Sequence, residues 1–526
     1  MSEPEPVEIP EVIGVIGAGT MGAGIAQLAA QAGARTLLHD PVPEALEHGV
    51  AGIGKVLDRL AERGKISAED AAAVRSRIEP VLTLDELAPC SLIVEAAPER
   101  MEIKLELFGA LAEVVSADCV LATNTSSLSV TEIAAGTPGP ERVVGLHFFN
   151  PAPVMKLVEV VAGQASGAEA LAVARAVGEA MGKTVIDAAD IAGFLVNRCN
   201  RPFSLEALRL LQAQVATVEQ IDRIARLGGG FRMGPFELMD LVGIETNHAV
   251  AESFHRATYG EPRYQPSFLQ ARKVASGQLG RKTGAGWYDY SGGVSGFRPE
   301  DPDPLVLGGG DGRIVVILGT LPLAAELRRS ATRDGWDVRE EIELEGAEPW
   351  LTIDCSGVGG SVPNPDRPGP RLRLLHDTSL ALSEPTAVGF HCLAPFLKCK
   401  LVELTRTDAT LLLAVERAEE FFASVGCHPE WIGDAPGLAL GRIVAQLINE
   451  AAFLLGEGNG TPEDVDLGLT LGVNHPRGPV EWSGAIGLEH VITILDTLHA
   501  ELGEPRYRVA PLLRRLHALG ADSLAG

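Results

Sequence analysis

Cysteine is scarce in this sequence, and its pattern excludes two kinds of cysteine chemistry. The 526 residues include seven cysteines, an odd number, with no Cys-x-x-Cys and no His/Cys spacing suited to a metal. Evenly numbered, dense cysteines are typical of disulfide frameworks, and paired ones of zinc sites. The sequence therefore predicts reduced thiols in a cytoplasmic protein without a metal site. The cysteines are Cys90, Cys119, Cys199, Cys355, Cys392, Cys399 and Cys427.

Long apolar runs are missing as well. No stretch reaches the roughly 18 apolar residues that a membrane-crossing helix needs. The start of the chain, Met1 to Glu8, is acidic and rich in proline, whereas a signal peptide is basic and then apolar. We therefore expect a cytoplasmic protein with no membrane partner.

Positive charge is in deficit. The chain has 44 Lys and Arg against 70 Asp and Glu, a formal net charge of −26 at pH 7. A field of that sign repels nucleic acid, and an anionic ligand would need a locally basic pocket. The composition is otherwise that of a globular protein, with 46% hydrophobic and 22% charged residues. At roughly 100 to 200 residues per domain, this length predicts three or four domains.

A dinucleotide-binding pattern occurs near the start of the chain. The apolar run Val12–Ile16 leads into Gly17-Ala-Gly19-Thr20-Met21-Gly22, and a stretch with helical spacing follows. Gly17 permits the tight turn, Gly19 lets the backbone approach a pyrophosphate, and Gly22 allows close helix packing. A second apolar strand ends in Asp40, an acid suited to the ribose hydroxyls of NAD and unsuited to the 2′-phosphate of NADP. The alternative is another parallel α/β fold, with Asp40 as a helix cap.

Further apolar runs indicate the rest of a sheet. They lie at 91–95, 119–122 and 143–146, with helical stretches between them, which predicts a parallel sheet covered on both faces. Ligands of such sheets bind beyond the carboxyl ends of the strands. The segments Asn124–Ser127 and His147–Asn150 directly follow two of these strands, so we expect them at the ligand-binding edge.

Five segments, taken in this order, resemble the L-3-hydroxyacyl-CoA dehydrogenase family. The resemblance covers about residues 10–290 and implies an α/β Rossmann domain for NAD (10–150), then an all-helical domain (151–290) that closes the substrate cleft and carries the dimer interface. It also implies oxidation of the C3 hydroxyl of a coenzyme A thioester, with hydride passing to NAD. In the helical part, Thr217 and Gln220 indicate a capping box. The five segments are Gly17–Gly22, Asn124–Leu128, His147–Glu159, Gly193–Arg198 and Gly234–Asp240.

The resemblance also implies catalytic roles. His147 would be the base that takes the hydroxyl proton as the hydride leaves, and Glu159 would orient it and stabilise the imidazolium. Ser126 and Asn197 would hydrogen-bond the C3 oxygen and the thioester region. The structural alternatives are a packed histidine at 147, a turn at 126 and a helix cap or break at 197.

Cofactor residues follow from the same resemblance. Glu99 and Lys104 match family positions near the nicotinamide ribose, and the alternative for them is an exposed ion-pair face. The predicted NAD-binding residues are Gly17, Gly19, Thr20, Met21, Gly22, Asp40, Glu99, Lys104, Asn124 and Asn150.

A basic helical stretch between Pro43 and Pro89 is similar to the helical hairpin of the family. Coenzyme A carries phosphates that need local cations, and in so acidic a chain this stretch is the best available patch. The alternative is a solvated helix face. The predicted coenzyme A contacts are Lys55, Arg59, Arg63 and Lys65.

The second half of the chain repeats the first. After a linker by composition (291–312), His391–Glu403 matches His147–Glu159 at an offset of 244 residues (391 − 147), and the offset then holds without a gap: Asp466 lies over Asp222 and Glu481 over Glu237. The sequence therefore predicts a tandem copy, with a Rossmann-like domain at 313–390 and a second helical domain at 391–526.

The second copy is predicted to be degenerate. Its first strand keeps Gly319 but lacks the second and third glycines and has Pro322 in the turn, and Gly441 replaces Asn197. The segment before His391 is also too short for the helical hairpin. We expect no NAD there, and a structural pseudo-partner in which His391 and Glu403 form a satisfied buried pair. The alternative is a working site served by a cofactor from elsewhere.

The leading hypothesis is an NAD-dependent L-3-hydroxyacyl-CoA dehydrogenase with one active site, acting in fatty-acid or aromatic-acid breakdown. The two helical domains would form an internal pseudo-dimer, in a monomer or a higher homo-oligomer. The alternatives are a non-catalytic NAD-binding regulatory or structural protein, and a dehydrogenase of a free hydroxy acid. No motif indicates the length of the acyl chain.

Overall fold

The computed structural model describes residues 9–294, 296–340, 344, 346–356 and 369–526. The acidic start at 1–8, residue 295 of the predicted linker and parts of the predicted domain 313–390 lie outside the described residues. The chain divides into two compact units, Met1–Arg198 with Asn459–Val473, and Cys199–Gly458 with Asn474–Gly526. Within the described ranges, no helix combines the length and apolar character needed to span a bilayer.

An eight-stranded sheet forms the centre of the first unit. Its order is β3-β2-β1-β4-β5-β6-β7-β8, and neighbouring strands are parallel except for β6 and β7. The apolar runs form interior strands because both faces of a parallel sheet are covered. The sheet extends past the boundary predicted at residue 150, since β7 and β8 belong to it. The strands are β1 Val12–Ile16, β2 Arg35–His39, β3 Ile78–Val81, β4 Leu92–Glu95, β5 Val120–Thr123, β6 Val143–Phe148, β7 Leu157–Ala162 and β8 Thr184–Ala189.

Helices connect these strands. The predicted helical hairpin is present between β2 and β3 as α2 and α3, where Arg75 on α3 donates to the carbonyl of Gly54 and pairs with Asp58 on α2. Helix α3 begins at a capping box made by Ser67 and Asp70. The helices are α1 Thr20–Gln31, α2 Pro43–Glu62, α3 Ala68–Ser76, α4 Met101–Val114, α5 Val130–Ala135 and α6 Ala168–Ala180.

The following region is helical up to about residue 275. Helix α8 begins where predicted, because Thr217 accepts a hydrogen bond from the N–H of Gln220 (3.3 Å) and Gln220 accepts one from the N–H of Thr217 (3.1 Å). A π-helical turn, Ile224–Gly228, continues this helix. The helices are α7 Val196–Gln212, α8 Val218–Arg223, α9 Pro235–Val242, α10 Ile244–Ala257 and α11 Phe268–Ala275.

A second sheet follows the linker, in the order β10-β9-β11-β12-β13-β14-β15. Among the residues described in this region, the order is that of the first sheet without a counterpart of β3, and β13 and β14 are again the antiparallel pair. Within the described residues, no helical hairpin precedes β11. The elements are β9 Ile314–Leu318, α12 Pro322–Arg333, β10 Asp337–Arg339, β11 Leu351–Asp354, β12 Arg371–Leu374, α13 Leu380–Ser383, β13 Val388–His391, β14 Leu401–Thr405, α14 Leu412–Ser424 and β15 His428–Trp431.

The last five helices repeat α7 to α11. The first four begin 244 residues after their counterparts, and a second π-helical turn, Gly468–Gly472, follows α16 as Ile224–Gly228 follows α8. The sheet and the helices of the described second half are therefore consistent with the tandem copy that the sequence predicts. The helices are α15 Leu440–Gly456, α16 Pro462–Leu467, α17 Pro479–Ile486, α18 Leu488–Leu502 and α19 Pro511–Ala518.

Candidate active site

His147 and Glu159 lie opposite each other on β6 and β7, in direct antiparallel register. Side chains at such positions point to the same face of the sheet, so the two groups meet. His147 Nδ1 lies 2.6 Å from Glu159 Oε2, and both residues are buried. The rings of Phe149 and Phe194 enclose the imidazole, with centroids 4.7 and 5.8 Å from its own. Because Nδ1 faces Glu159, Nε2 is the ring nitrogen left to exchange a proton.

The other carboxylate oxygen of Glu159 is held by the start of α7. Glu159 Oε1 accepts hydrogen bonds from the N–H groups of Leu195 (3.1 Å) and Val196 (3.0 Å). The first N–H groups of a helix have no partner within the helix, and a carboxylate there is stabilised by them. Asn197 is the next residue and is partly exposed, so the same helix start places it beside the His147/Glu159 pair.

The glycine-rich turn between β1 and α1 has the geometry expected of each glycine. Gly17 has φ +93°, and a Cβ on it would lie 2.5 Å from the carbonyl oxygen of Ala96. A Cβ on Gly22 would lie 1.7 Å from the carbonyl oxygen of Gly17, so α1 packs directly on the turn. Around Gly19 there is open space, and Thr20 and Met21 begin α1 with its free N–H groups. This cradle fits a pyrophosphate.

Asp40 braces the same turn. Its carboxylate accepts hydrogen bonds from the N–H of Ala18 (2.8 Å) and of Val42 (2.9 Å). A carboxylate has about four acceptor positions, so two N–H bonds leave capacity for ribose hydroxyls. The alternative role as a plain helix cap does not describe this residue, because one of its two contacts reaches back across the sheet to the glycine turn.

Lys104 is buried, which excludes the alternative of an exposed ion-pair face. Its Nζ lies 2.7 and 2.9 Å from the two carboxylate oxygens of Glu95 and 3.4 Å from Glu99. Thr123 also donates to Glu95, at 2.6 Å. Sequence reasoning missed Glu95 and Thr123, although both end apolar strands at the edge where ligands are expected. An acid that closes a buried strand is the signal that could have found Glu95.

Glu99 holds the loop that carries Ser126. It accepts hydrogen bonds from Thr125 Oγ1 (2.6 Å) and from the N–H groups of Ser126 (2.9 Å) and Ser127 (3.1 Å). Burial opposes its ionisation, but the Lys104 ammonium and these hydrogen bonds outweigh burial and hold the pKa of Glu99 below its usual value. The hydroxyl of Ser126 is only 3.4 Å from Glu99, a weak contact that leaves it able to bond elsewhere.

The other predicted residues are placed as follows. Asn124 follows β5, and its Oδ1 accepts a hydrogen bond from the N–H of Phe148 (2.8 Å), which ties the ends of β5 and β6 together. Asn150 is exposed just beyond β6. The predicted coenzyme A contacts are exposed and, among the described residues, form no ion pair. They lie on α2 and directly after it and are Lys55, Arg59, Arg63 and Lys65.

The predicted pair of His391 and Glu403 does not form. The two residues face each other on β13 and β14, but His391 Nε2 lies 3.2 Å from His490 Nε2, and His391 Nδ1 is buried without a hydrogen-bond partner. Glu403 instead accepts from the N–H groups of Ala439 and Leu440. Burial, with His376 nearby, lowers the pKa of His391 to about 3, and burial raises the pKa of Glu403 to about 8. Both groups are therefore neutral at pH 7.

The turn after β9 also differs from that after β1. Gly319 keeps the left-handed conformation (φ +101°), but Leu321 and Pro322 stand where the first copy has Gly19 and Thr20. The guanidinium of Arg328 donates to the carbonyl oxygens of Ile317 and Gly319, at 2.7 Å each. This side chain therefore ties α12 to the end of β9 and to the turn.

These features define a dehydrogenase with a dinucleotide-binding sheet and a His/Glu pair at the carboxyl ends of its strands. Family models agree. Residues 12–191 match the 3-hydroxyacyl-CoA dehydrogenase NAD-binding domain, and residues 193–290 and 437–523 both match the C-terminal domain of that family. The chain belongs to the 3-hydroxyacyl-CoA dehydrogenase family of NAD-dependent oxidoreductases. The predicted family, NAD cofactor and Rossmann-plus-helical fold are thereby confirmed.

Individual relatives cover either the whole chain or its first half. The chain is 37% identical over 505 residues to a 3-hydroxyadipyl-CoA dehydrogenase of Escherichia coli, covering 96% of this chain and 97% of that one. A probable 3-hydroxybutyryl-CoA dehydrogenase of Bacillus subtilis is 42% identical over 284 residues, 54% of this chain and 98% of the relative. A crystal structure of 3-hydroxybutyryl-CoA dehydrogenase from Escherichia coli matches with a TM-score of 0.78 and 34% identity, covering 98% of this chain and 99% of that one.

Proposed function

We propose that the first copy interconverts an L-3-hydroxyacyl-CoA and its 3-ketoacyl-CoA, with His147 as base and acid. The observation that carries the proposal is the 2.6 Å contact of His147 Nδ1 with Glu159 Oε2 in a buried site. Removing a hydride from C3 requires that the hydroxyl proton leaves too, and an imidazole in contact with the hydroxyl can take it. NAD, when bound at the glycine-rich turn, would supply the hydride acceptor.

Glu159 makes His147 effective as a base. Its carboxylate stabilises the imidazolium that forms when Nε2 takes the proton, and it fixes the ring so that Nε2 points to the substrate. The N–H groups of Leu195 and Val196 keep the carboxylate in place. In the reverse direction the same nitrogen returns the proton to the alcohol oxygen.

Ser126 and Asn197 position the substrate. Glu99 fixes the backbone of Ser126 while its hydroxyl keeps only a 3.4 Å contact, so the hydroxyl is able to bond the C3 oxygen. Asn197 offers an amide from the start of α7. Two fixed donors around one oxygen hold C3 in a single orientation, which favours one enantiomer.

The cofactor residues fit NAD. Gly17, Gly19 and Gly22 give backbone access to the pyrophosphate, the start of α1 supplies N–H donors, and Asp40 takes the ribose hydroxyls. Glu99 and Lys104 lie at the nicotinamide end, with Asn124 and Asn150 on neighbouring strand ends. The buried Glu95 pairs with Lys104 and offsets part of the cost of burying this cation.

The basic residues of α2 contact the coenzyme A phosphates. Arg59 and Arg63 are exposed in a chain of net charge −26, so they are among the few cations free to meet a phosphate. Replacing Lys55, Arg59, Arg63 and Lys65 by alanine is expected to raise KM for an acyl-CoA while leaving kcat nearly unchanged.

The second copy binds no NAD and performs no turnover. Three observations support this proposal. Leu321 and Pro322 stand where the first copy has Gly19 and Thr20, and Ala324 stands where it has Gly22. His391 also lies against His490 and not against a carboxylate. The copy acts as a structural pseudo-partner, and together the helical domains form an internal pseudo-dimer.

Reciprocal contacts within the second unit support the pseudo-dimer. Glu206 of the first copy accepts hydrogen bonds from Tyr507 Oη (3.0 Å) and Arg442. Glu450 is the counterpart of Glu206, and it accepts from Tyr264 Oη and Arg263 of the first copy. The two glutamate–tyrosine contacts are reciprocal, because residue i meets j and j meets i, which is the mark of a two-fold interface. The two arginines are not counterparts of each other, so their contacts are additional.

Oxidation of NADH by acetoacetyl-CoA tests the function. We expect turnover with the thioester and little with free acetoacetate, and His147→Ala should turn over the thioester about 10² to 10⁴ times more slowly than wild type. A protein that binds NADH but reduces no 3-ketoacyl-CoA would be the non-catalytic alternative, and equal kcat/KM for acetoacetate would identify a dehydrogenase of free acids. A kcat/KM series over acyl lengths, with one dicarboxylic member, would then define the acyl group and the pathway.

A further inference from the structure

Two glycines of the second copy pack against residues that surround the His147/Glu159 pair. The π-helical turn Gly468–Gly472 belongs to the first compact unit, together with β7, β8 and the start of α7. A Cβ on Gly468 would lie 2.9 Å from both Leu195 Cδ2 and Val196 Cγ2. A Cβ on Gly472 would lie 2.9 Å from Leu157 Cδ2, 3.3 Å from Val196 Cγ1 and 3.4 Å from Phe149 Cε1.

Space, and not backbone conformation, requires glycine at these positions. Gly468 has an ordinary helical conformation (φ −56°, ψ −50°), and Gly472 is not among the residues of positive φ. Any L-residue could adopt these dihedral angles. A larger side chain would therefore displace the helix or the neighbours that it meets.

Those neighbours lead directly to the His147/Glu159 pair. The N–H groups of Leu195 and Val196 hold Glu159 Oε1, and the Phe149 ring lies 4.7 Å from the ring of His147. A shift of the π-helical turn would therefore displace Glu159 through the backbone at the start of α7, and would displace His147 through Phe149.

The mirrored contact in the second unit supplies a comparison. At the offset of 244 residues, Gly228 corresponds to Gly472, and it meets Leu401 and Leu440, the counterparts of Leu157 and Val196. Gly468, however, corresponds to Ile224, which is buried. Only the side that carries His147 has glycine at both positions.

We propose that the second copy supplies positioning residues to the first active site: Gly468 and Gly472 let its π-helical turn set Leu195 and Val196, and through them Glu159. The second copy is thus part of the catalytic apparatus, although it performs no chemistry. This inference rests on the proposed function of His147 and Glu159.

The test compares Gly472→Val with the mirrored Gly228→Val in the full chain. Both add the same side chain to equivalent contacts, so we expect similar losses of thermal stability. Gly472→Val is expected to lower kcat for acetoacetyl-CoA reduction tenfold or more, since misplacement by about 1 Å can cost about a hundredfold. KM for NADH should stay within about twofold, and the acid limb of the pH profile should shift because the base has a displaced carboxylate. Gly228→Val should keep kcat within about twofold.

Equal loss of kcat in the two variants, or an unchanged kcat and pH profile in Gly472→Val, would overturn the inference. If Gly472→Val does not fold, Gly472→Ala replaces it, because the closest contact of an alanine Cβ there is the flexible end of Leu157. A shifted pH profile of kcat in Gly472→Ala then supports the inference, and an unshifted profile overturns it. Wild type and His147→Ala are measured alongside. If wild type shows no turnover, the proposed function fails and the inference fails with it. If wild type is active, His147→Ala has lost activity and the two glycine variants have the same kcat, only the inference is overturned.

Discussion

The ring of His391 lies directly against Gly441. A Cβ on this glycine would be 2.4 Å from His391 Cε1, and the ring atoms Nε2 and Nδ1 are almost as close. In the first copy the corresponding residue is Asn197, which follows Val196 at the start of α7. Any side chain at 441 would collide with the ring of His391, so replacing Gly441 by asparagine alone would not restore the arrangement of the first copy.

Removing each histidine in turn separates the two copies. We expect His147→Ala to lower kcat by a factor of about 10² to 10⁴, the usual range for a general base. His391→Ala should keep kcat within about twofold, while the free energy of unfolding falls by about 1 to 3 kcal/mol because a buried ring is lost. Steady-state kinetics and urea unfolding measure both effects. Equal losses of kcat would show that the second copy is not a silent partner.

The two glutamates should respond differently to amidation. Glu159→Gln removes the charge that stabilises the imidazolium, so kcat should fall, by about a hundredfold or more. Burial raises the pKa of Glu403 to about 8, so this carboxyl group is already neutral at pH 7. Glu403→Gln should therefore change kcat little. A raised pKa gives stability that is present below about pH 4.5 and lost as pH rises through 8. At pH 9 the free energy of unfolding should therefore be larger for Glu403→Gln than for wild type. Equal values would contradict the raised pKa of Glu403.

Buried histidines make the protein sensitive to acid. Burial lowers the pKa of His391 and of His475 to about 3, and it also lowers those of His376 and His490. The unfolded chain binds more protons than the folded one between about pH 6.5 and 3, so the free energy of unfolding falls as pH falls through that window. Urea midpoints at pH 7.5, 6 and 5 measure this slope. His391→Asn should flatten it, whereas replacing the exposed His517 should not.

One NADH should bind per chain. Isothermal titration is expected to give a stoichiometry of one, and Gly22→Ala should abolish this binding because its Cβ would collide with the carbonyl oxygen of Gly17. The matching reverse change, Ala324→Gly in the second copy, should add no second site, since Leu321 and Pro322 still replace Gly19 and Thr20 of the first turn. A stoichiometry of two in the wild type would overturn the assignment of the second copy as unable to bind NAD.

Local signals in the sequence predicted much of the fold. The capping pair Thr217 and Gln220 and the turn at Gly17 depend on neighbours within a few residues, so sequence alone specifies them. The constant offset between the copies carried the prediction of the second sheet and helices. His147 and Glu159 were predicted from the family resemblance, and the antiparallel register of β6 and β7 gives their contact a physical basis.

Contacts that depend on packing between distant segments could not be predicted in this way. His391 and His490 are 99 residues apart, and nothing in either neighbourhood indicates that they meet. The predicted His391/Glu403 pair was wrong for that reason: both residues are present, but His391 Nε2 faces His490 and Glu403 accepts hydrogen bonds from the start of α15. Lys104 had an exposed alternative because a charged residue on a helix is usually solvated, and only the buried Glu95 explains its position.

The contacts of Glu206 with Tyr507 and of Glu450 with Tyr264 join two halves of one polypeptide. Two separate subunits would come apart on dilution and exchange partners, but halves joined by a linker meet at an effective concentration in the millimolar range. Specific activity should therefore be the same at nanomolar and micromolar protein. The pairing is also fixed in composition, because each first half always has a second half of different sequence beside it. The two surfaces can therefore diverge from each other, which the surfaces of two identical subunits cannot do.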